Sequence, residues 1–365
     1  MRDKHIHIAE DSALLKLIYK EVDEQLIINK NKTVRFLWAK FIFYCSLVLV
    51  CYFLIYQLSS PFWFVVNYVI CGLVTVLFAF NFAHDLSHNT VFKNKWLNNA
   101  GFIAIYTLVG AHAEAWKHRH IHSHHYAPNV EDYDSDLKIS GLIRVIPDSD
   151  HKWYHRYQHL YAPFAYTSYS LFWVFIKDFV ILYSKEEEDT QKKNLGYHLV
   201  FWLQKMFYFF YLLYLPLQFS GQPWYVVVIG FFIMHLFQSL FLLFTFFMTH
   251  HVEATAYPTT DEKGYIKESW LMNQVKSSND FYPFSKFANF VFGGFNNHVA
   301  HHLFPHIHHV HYPKLNGILF KLLEEHKIRP NVTTYFGGIR SHLRLLKKMS
   351  TINKNGLQIK LQTVT

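Results

Sequence analysis

The stretch Phe62-Trp-Phe-Val-Val-Asn-Tyr-Val-Ile-Cys-Gly-Leu-Val-Thr-Val-Leu-Phe-Ala-Phe-Asn-Phe-Ala83 carries no charge and runs directly into His84-Asp-Leu-Ser-His88. About 20 apolar residues in a helix cross the ~30 Å hydrocarbon layer of a bilayer. The stretch therefore reads as a membrane span that delivers two histidines at its end. Three other segments share its character: residues 41–58, joined to it by Ser59-Ser60-Pro61; residues 197–219, interrupted by Lys205; and residues 223–249, entered through Ser220-Gly221-Gln222. Lys205 is expected to snorkel to the nearer surface. Residues 102–111 and 164–176 are too short to span and read as interfacial or re-entrant.

Composition agrees. Hydrophobic residues make up 51 % of the 365 and aromatics 19 %, while charged residues are only 17 %, below the quarter usual in soluble domains. This excludes a disordered chain. The three cysteines, Cys45, Cys51 and Cys71, lie inside apolar runs, so neither a disulfide framework nor a CxxC metal motif is present. The formal charge of +9 reads as topology and attraction to anionic lipid or acidic carriers, not as nucleic-acid binding. Arg2, Lys4, Lys16, Lys20, Lys30, Lys32 and Arg35 precede the first span, and the two tight inter-span links carry no Lys or Arg. The N-terminal segment, the middle segment and the C-terminal third are therefore expected to be cytoplasmic. No cleavable signal peptide is visible in residues 1–40.

Histidine is the outlier, at 26 residues. The i, i+4 pair His84/His88 places both rings on one helix face, within reach of one metal region. A single such pair is weak evidence. A second cluster, His118-Arg-His-Ile-His-Ser-His-His125, allows two registers, 118/122 or 120/124. A third, His298-Val-Ala-His-His302, is expected to bring three rings to one side, and His250-His251 close the fourth span. All four groups fall on the same membrane face if residues 102–111 do not span. That many imidazoles, with no thiolate, exceed the needs of one ion and suit Fe, Zn, Cu or Ni. Asp85, Asp132, Asp134, Asp136 and Glu253 are placed to accept the second ring N–H of ligating histidines.

These boxes resemble the membrane fatty-acid desaturases, the non-haem di-iron enzymes of acyl chains, and within them the acyl-lipid and linoleoyl-CoA desaturase branch. The resemblance runs from about residue 23 to 348. The first box is similar to HDxxH at His84 and His88. The second is similar to WxxxHxxxHHxxxN at Trp116, His120, His124, His125 and Asn129, followed by an acidic run, which selects the 120/124 register. The third is similar to [QH]xxHHLFP at His298, His301 and His302. His250 takes the ligand position in a stretch resembling HxVExTxFP, with Glu253 beside it. The resemblance implies ligands His84, His88, His120, His124, His125, His250, His298, His301 and His302, supported by Asp85, Asp132, Asp134, Asp136, Glu253 and Asn129. It implies two iron ions, O2 as co-substrate, and an acyl chain, on a lipid or coenzyme A, that loses two hydrogens to leave a cis double bond. An apolar tunnel near the spans would hold that chain. No HPGG haem motif occurs, so electrons are expected from a separate ferredoxin or small cytochrome with its reductase, and the location expected is a bacterial inner membrane with a cytoplasmic active site. Rival readings are a membrane di-iron hydroxylase or ketolase and, from another class, a His-rich metal transporter. Transporters place ligands near the bilayer midplane, whereas these lie beyond the span ends.

The expected fold is an all-α integral membrane protein. Four transmembrane helices form two hairpins under a cytoplasmic helical cap that holds the metal site. The expected divisions are a lead-in at 1–35, the membrane domain at 36–313 with spans at about 41–58, 62–83, 197–219 and 223–249, and C-terminal helices and tail at 314–365. His151, His155 and His159, beside Trp153 and Tyr157, read as an interfacial amphipathic helix. His118, His122 and His251 read as neighbours of ligands, and His306, His308, His309 and His311 as supporting or loop residues. His235, Gln238, Asn67 and Asn81 read as interhelical hydrogen-bonding groups. His5, His7, His326 and His342 read as surface residues.

Overall fold

The computed structural model describes residues 4–137, 141–184 and 193–351. The charged linker expected at 185–193, Lys193 apart, and the polar tail beyond residue 351 lie outside them. Helix α1 (Ala9–Gln25) leads into α2 (Lys30–Leu54) and α3 (Pro61–Ser87). Two shorter helices follow, α4 (Lys95–Val109) and α5 (Ala113–Arg119), then a pair bent by 77°, α6 (Trp153–Tyr166) and α7 (Tyr169–Tyr183). Next come α8 (Leu195–Phe219) and α9 (Trp224–His250). The remainder comprises α10 (Trp270–Lys276), β1 (Asn279–Phe281), α11 (Lys286–Phe292), α12 (His298–Leu303), α13 (Tyr312–Glu325), β2 (Asn331–Thr333) and α14 (Tyr335–Met349).

Helices α2, α3, α8 and α9 are long and apolar enough to cross a membrane. Pro61 opens α3 at a position where a missing N–H costs nothing. The closest packing is between α3 and α9. Gly72 faces Met234 and Gln238 so closely that a Cβ there would collide with the Met234 side chain. Helix α2 covers one side of α3 and turns Ile42, Leu49, Val50 and Phe53 outward, an apolar surface suited to lipid. Several polar groups among the spans find partners inside the bundle, as a hydrocarbon environment favours. Asn67 donates to Cys51 O (2.8 Å), and Gln238 donates to Gly72 O (2.9 Å). His235 lies between Tyr208 Oη (2.9 Å) and Ser170 Oγ (2.7 Å), and Asn81 donates to Val291 O (3.0 Å).

Lys205 departs from expectation. It does not snorkel but is buried inside the bundle, donating to Gly110 O (2.7 Å) and Val174 O (2.8 Å) and pairing with Asp178 Oδ2 (2.7 Å). Folding α7 back against the spans brings Asp178 there, and three oxygens replace the hydration that the surface would have supplied. Asp178 also accepts from His112 N and Trp173 Nε1. Helix α4, which contains most of residues 102–111, has 15 residues and so spans only about 22 Å, short of a bilayer core. Residues 164–176 straddle the bend between α6 and α7. Trp153, Tyr157 and Phe164 lie exposed along this segment, as an interfacial element would place them.

The cap is one packed body. Ile18 and Val22 of α1 share a core with Leu271 of α10, Leu303 of α12 and Leu319 of α13, so the N-terminal lead-in packs onto the C-terminal third. The architecture is mostly helical rather than all-α. Strands β1 and β2 pair in parallel, with Asn279 opposite Asn331 and Phe281 opposite Thr333, because the buried backbone of residues 279–281 needs partners. Two histidines expected at the surface are buried. His5 Nε2 meets Asn273 Oδ1 (3.1 Å), held by backbone bonds between residues 4–6 and Ile266. His342 meets Tyr166 Oη (2.9 Å) and His251 O (2.8 Å). A short strand-like bridge and one face of α14 cover them, which residue type alone does not show. His7 and His326 are exposed.

Candidate metal centre

Two of the histidine boxes are shaped by π-helical turns. The regular coil of α3 widens over Ala79–Ala83, immediately before His84, and α5 passes into a π turn over His120–His124. Such turns are rare and concentrate at functional sites. In the second box the wider turn brings residues five apart together. His125 N donates to His120 O (3.0 Å), and the two Nε2 atoms stand 3.2 Å apart. His120 and His124, expected to serve one region, fall into different groups although their rings lie 5.5 Å apart.

The rings gather into two adjacent groups. One comprises His84, His88, His120 and His301; the other comprises His124, His250, His298 and His302. Within each, one ring nitrogen per residue lies within 4.8 Å of the others. All are buried except the half-buried His88. His125 sits between them, its ring 4.5 Å from both His301 and His302. The third box is thus divided rather than presented on one side. At about 100° per helical residue, positions 298 and 302 align while 301 points away from 302 by that angle. Helix α12 is a ridge with one group on each flank. His250 joins a group and His251 does not; the His251 ring instead meets Tyr257 Oη (3.0 Å). The His118 and His122 rings meet at 5.0 Å, tilted by 48°, and join neither group.

Three of the four rings in the second group are braced, His298 Nδ1 being without a hydrogen bond among the described residues. His124 Nδ1 meets Asp134 Oδ2 (3.0 Å), His250 Nδ1 meets Ser277 O (2.9 Å), and His302 Nδ1 meets Gln274 Oε1 (2.8 Å). The first group has little bracing. Both nitrogens of His84, Nε2 of His88 and Nε2 of His301 are buried without a partner, and His301 Nδ1 reaches only Tyr312 Oη at 3.4 Å. A buried, unpaired polar atom costs about 1–3 kcal/mol. Burial also holds the imidazoles of His120, His125, His298, His301 and His302 well below the usual range, so they are neutral with lone pairs free. For His124 burial acts in the same direction, but the charge and hydrogen bond of Asp134 outweigh it and raise the ring. Opposing nitrogens as close as 2.6 Å (His250–His298) suit donors converging on ions at ~2.0–2.1 Å. The residues fit two metal ions.

The carboxylates divide. Asp134 meets the ring of His124. Asn129 supports it from behind, its N–H donating to Asp134 Oδ2 (3.0 Å) and its side chain to His250 O (2.9 Å) and Ala256 O (3.0 Å). Asp85 does not serve the box rings. It lies 2.5 Å from His309 Nδ1 and 2.7 Å from His308 Nε2, and Lys40 Nζ stands 2.8 Å from His309 Nε2. This buried cluster ties the His84–Ser87 turn to the loop after the third box through the Asp85–His309–Lys40 contacts. Asp132 accepts from Thr260 Oγ1, Glu253 pairs with Lys348 (2.7 Å) and Arg344 (3.8 Å), and Asp136 faces Arg119 (3.8 Å). Tyr312 belongs to the stretch that extends the third box, whereas Gln274 and Ser277 carry no metal-site signal in the sequence and were not anticipated. Neither was Asp280, buried beneath α12, which accepts from Val299 N (2.9 Å) and whose carboxyl is pushed up to about 7 by burial, against those backbone bonds.

A pocket of about 620 Å³ opens beside His84 and runs between the spans, lined by Val76, Phe80, Tyr106, Trp173 and Leu242, with Ser170 and Gln238 also in its wall. A second, of about 670 Å³, shares Trp116, Trp173, Phe246 and Phe295 with it and continues past His120, His124 and His298 to Arg119 and Lys177. Trp116 stacks on His120 at 4.4 Å, so the two limbs meet at the histidine groups.

Comparison with known proteins agrees with this geometry. The family model described as fatty acid desaturase matches residues 58–334. The sn-1 linoleoyl-lipid 6-desaturase of Arthrospira platensis is 30 % identical over 288 residues, covering 77 % of each chain. The acyl-lipid (8-3)-desaturase of Physcomitrium patens is 33 % identical over 278 residues, covering 73 % of this chain and 56 % of the moss protein. The sn-1 linoleoyl-lipid 6-desaturase of Synechocystis is 29 % identical over 80 % of this chain and 83 % of its own. A family match across most of the chain, joined to a relative aligned over most of both lengths, shows that this chain belongs to the fatty acid desaturase family.

Proposed function

We propose that this membrane oxidoreductase inserts a cis double bond into the acyl chain of a lipid ester or thioester. Two iron ions would be held by the two histidine groups: one by His84, His88, His120 and His301, the other by His124, His250, His298 and His302, with His125 at their boundary. The observation that carries this reading is the junction of two buried all-imidazole groups with an apolar pocket between the spans. Bound iron would supply the redox chemistry and O2 reduction that no side chain provides, since a methylene C–H is not acidic. The chain's own residues orient and exclude. Trp116 fixes the His120 ring by stacking. Phe80, Phe295 and Trp173 line an apolar path in which a chain lies extended with little competing water. Electrons would come from a separate donor, a ferredoxin or small cytochrome.

The direction of the spans supports a cytoplasmic site. Helices α3 and α9 both carry their histidines at their C-terminal ends, His84 and His250, and both meet in one centre. They therefore run the same way across the bilayer, each preceded by a partner span joined through a short link, in two hairpins. The lysines and arginines before α2 then support a cytoplasmic histidine side.

The test is gas chromatography–mass spectrometry of fatty acids from a host expressing the protein with a donor system, against His124→Ala. A new unsaturated acid present only with the unaltered protein is expected, with iron content falling in the variant. A hydroxy acid would move the assignment to a hydroxylase, and no lipid change with iron bound would overturn it.

A further inference from the structure

The limb of the pocket that runs from His120 toward Arg119 differs from the apolar limb in a way the desaturation chemistry does not require. Two cations line it, Arg119 and Lys177. The Arg119 side chain is 16 % exposed, it faces the Asp136 carboxylate at 3.8 Å, and its Nε is buried with no hydrogen-bond partner among the described residues. Lys177 is buried over the Tyr169 and Trp173 rings, 5.9 and 5.5 Å from their centres, and makes no hydrogen bond or ion pair among the described residues. Leaving such donors unpaired is costly. The neighbouring Lys205 shows the alternative, with three oxygens on its ammonium.

Charge decides what the donors await. Asp134 and Asp136 line the same limb, so the two cations are already balanced. A second full anion would enter against two carboxylates, whereas a neutral oxygen acceptor would not. The limb also continues the apolar path, so its ligand is the polar end of the chain whose methylenes lie beside His84. We propose that Arg119 and Lys177 bind the carbonyl oxygen of the acyl ester or thioester. The carbonyl end then lies in this limb, the methyl end in the apolar limb, and the site of oxidation is counted from the carbonyl. This rests on the desaturase reading and adds substrate polarity and a registration point to it.

The experiment uses the full protein in membranes, loaded with iron and given a donor system. Substrates are a linoleoyl glycerolipid in vesicles and linoleoyl-coenzyme A, each also as a homologue lengthened by two methylenes at the methyl end. The ester and thioester arms distinguish the two sources of the carbonyl. The new double bond is expected at an unchanged distance from the carbonyl in both homologues. Arg119→Gln and Lys177→Gln are each expected to lower kcat/KM about tenfold, as loss of a charged hydrogen bond does, and to scatter the bond to neighbouring positions with iron content unchanged. A bond that follows the methyl end overturns the inference. So do variants with intact iron that keep kcat/KM within about twofold and the same position. The homologue comparison needs only the unaltered protein, so a misfolded variant does not remove the test. Absence of any product from the unaltered protein overturns the desaturase reading and this inference with it; product with unchanged registration in the variants overturns this inference alone.

Discussion

The two histidine groups are built from the same residue type a few ångströms apart, yet they are held differently. His124, His250 and His302 each have the nitrogen facing away from their group fixed by an oxygen, on Asp134, Ser277 and Gln274. Among the described residues, His84 has no hydrogen-bond partner at either nitrogen, and His301 has a long contact to Tyr312. A braced imidazole has its tautomer and ring plane set before a metal arrives, while an unbraced one relies on the metal to order it. Three rings of the second group are thus set in place by the protein. The first group would be ordered by a bound ion, and it opens onto the apolar pocket through His84.

This contrast can be broken in several ways. The largest effect is expected from His88→Ala and His302→Ala. Each should abolish turnover and remove one of two irons, measured by metal analysis of purified protein; loss of both irons from either variant would make the groups a single unit. Next, dialysis against a chelator should release iron in two phases whose affinities differ by about 10–100-fold, the range that outer partners contribute. A single phase would show that bracing does not matter. Gln274→Leu should then bring the two phases together, by about tenfold, without altering the first. Tyr312→Phe should change the first phase least, near the lower end of the ~0.5–1.5 kcal/mol of an ordinary hydrogen bond, because 3.4 Å is at the limit of such a bond.

The unequal bracing was only partly legible in the residues. Asp134 was readable because an acidic residue follows the second box at short range. Gln274 and Ser277 were not, because an amide side chain and a backbone carbonyl carry no metal signature and reach His302 and His250 from the connection after α9. Asp85 was misassigned: it neighbours His84 in sequence, but its carboxylate serves His308 and His309, far along the chain. The split of the second box escaped spacing arguments because these assume 3.6 residues per turn, and the π turn at His120–His124 does not obey that count. Lys205 was read from hydropathy, which takes the surface as the only refuge for a charge, while Asp178 supplied one inside.

What the sequence determined by itself is whatever depends on local composition and spacing. Unbroken apolar runs set four helices of membrane length, and the runs of histidine at their ends set the kind of chemistry. Only the tertiary structure decided which imidazole joins which group, which nitrogens are braced, and which cations are left facing the pocket. Those outcomes depend on contacts between separate segments of the chain, from His302 with Gln274 to Asp85 with His309. Such contacts form only when the spans and the cap close around one another.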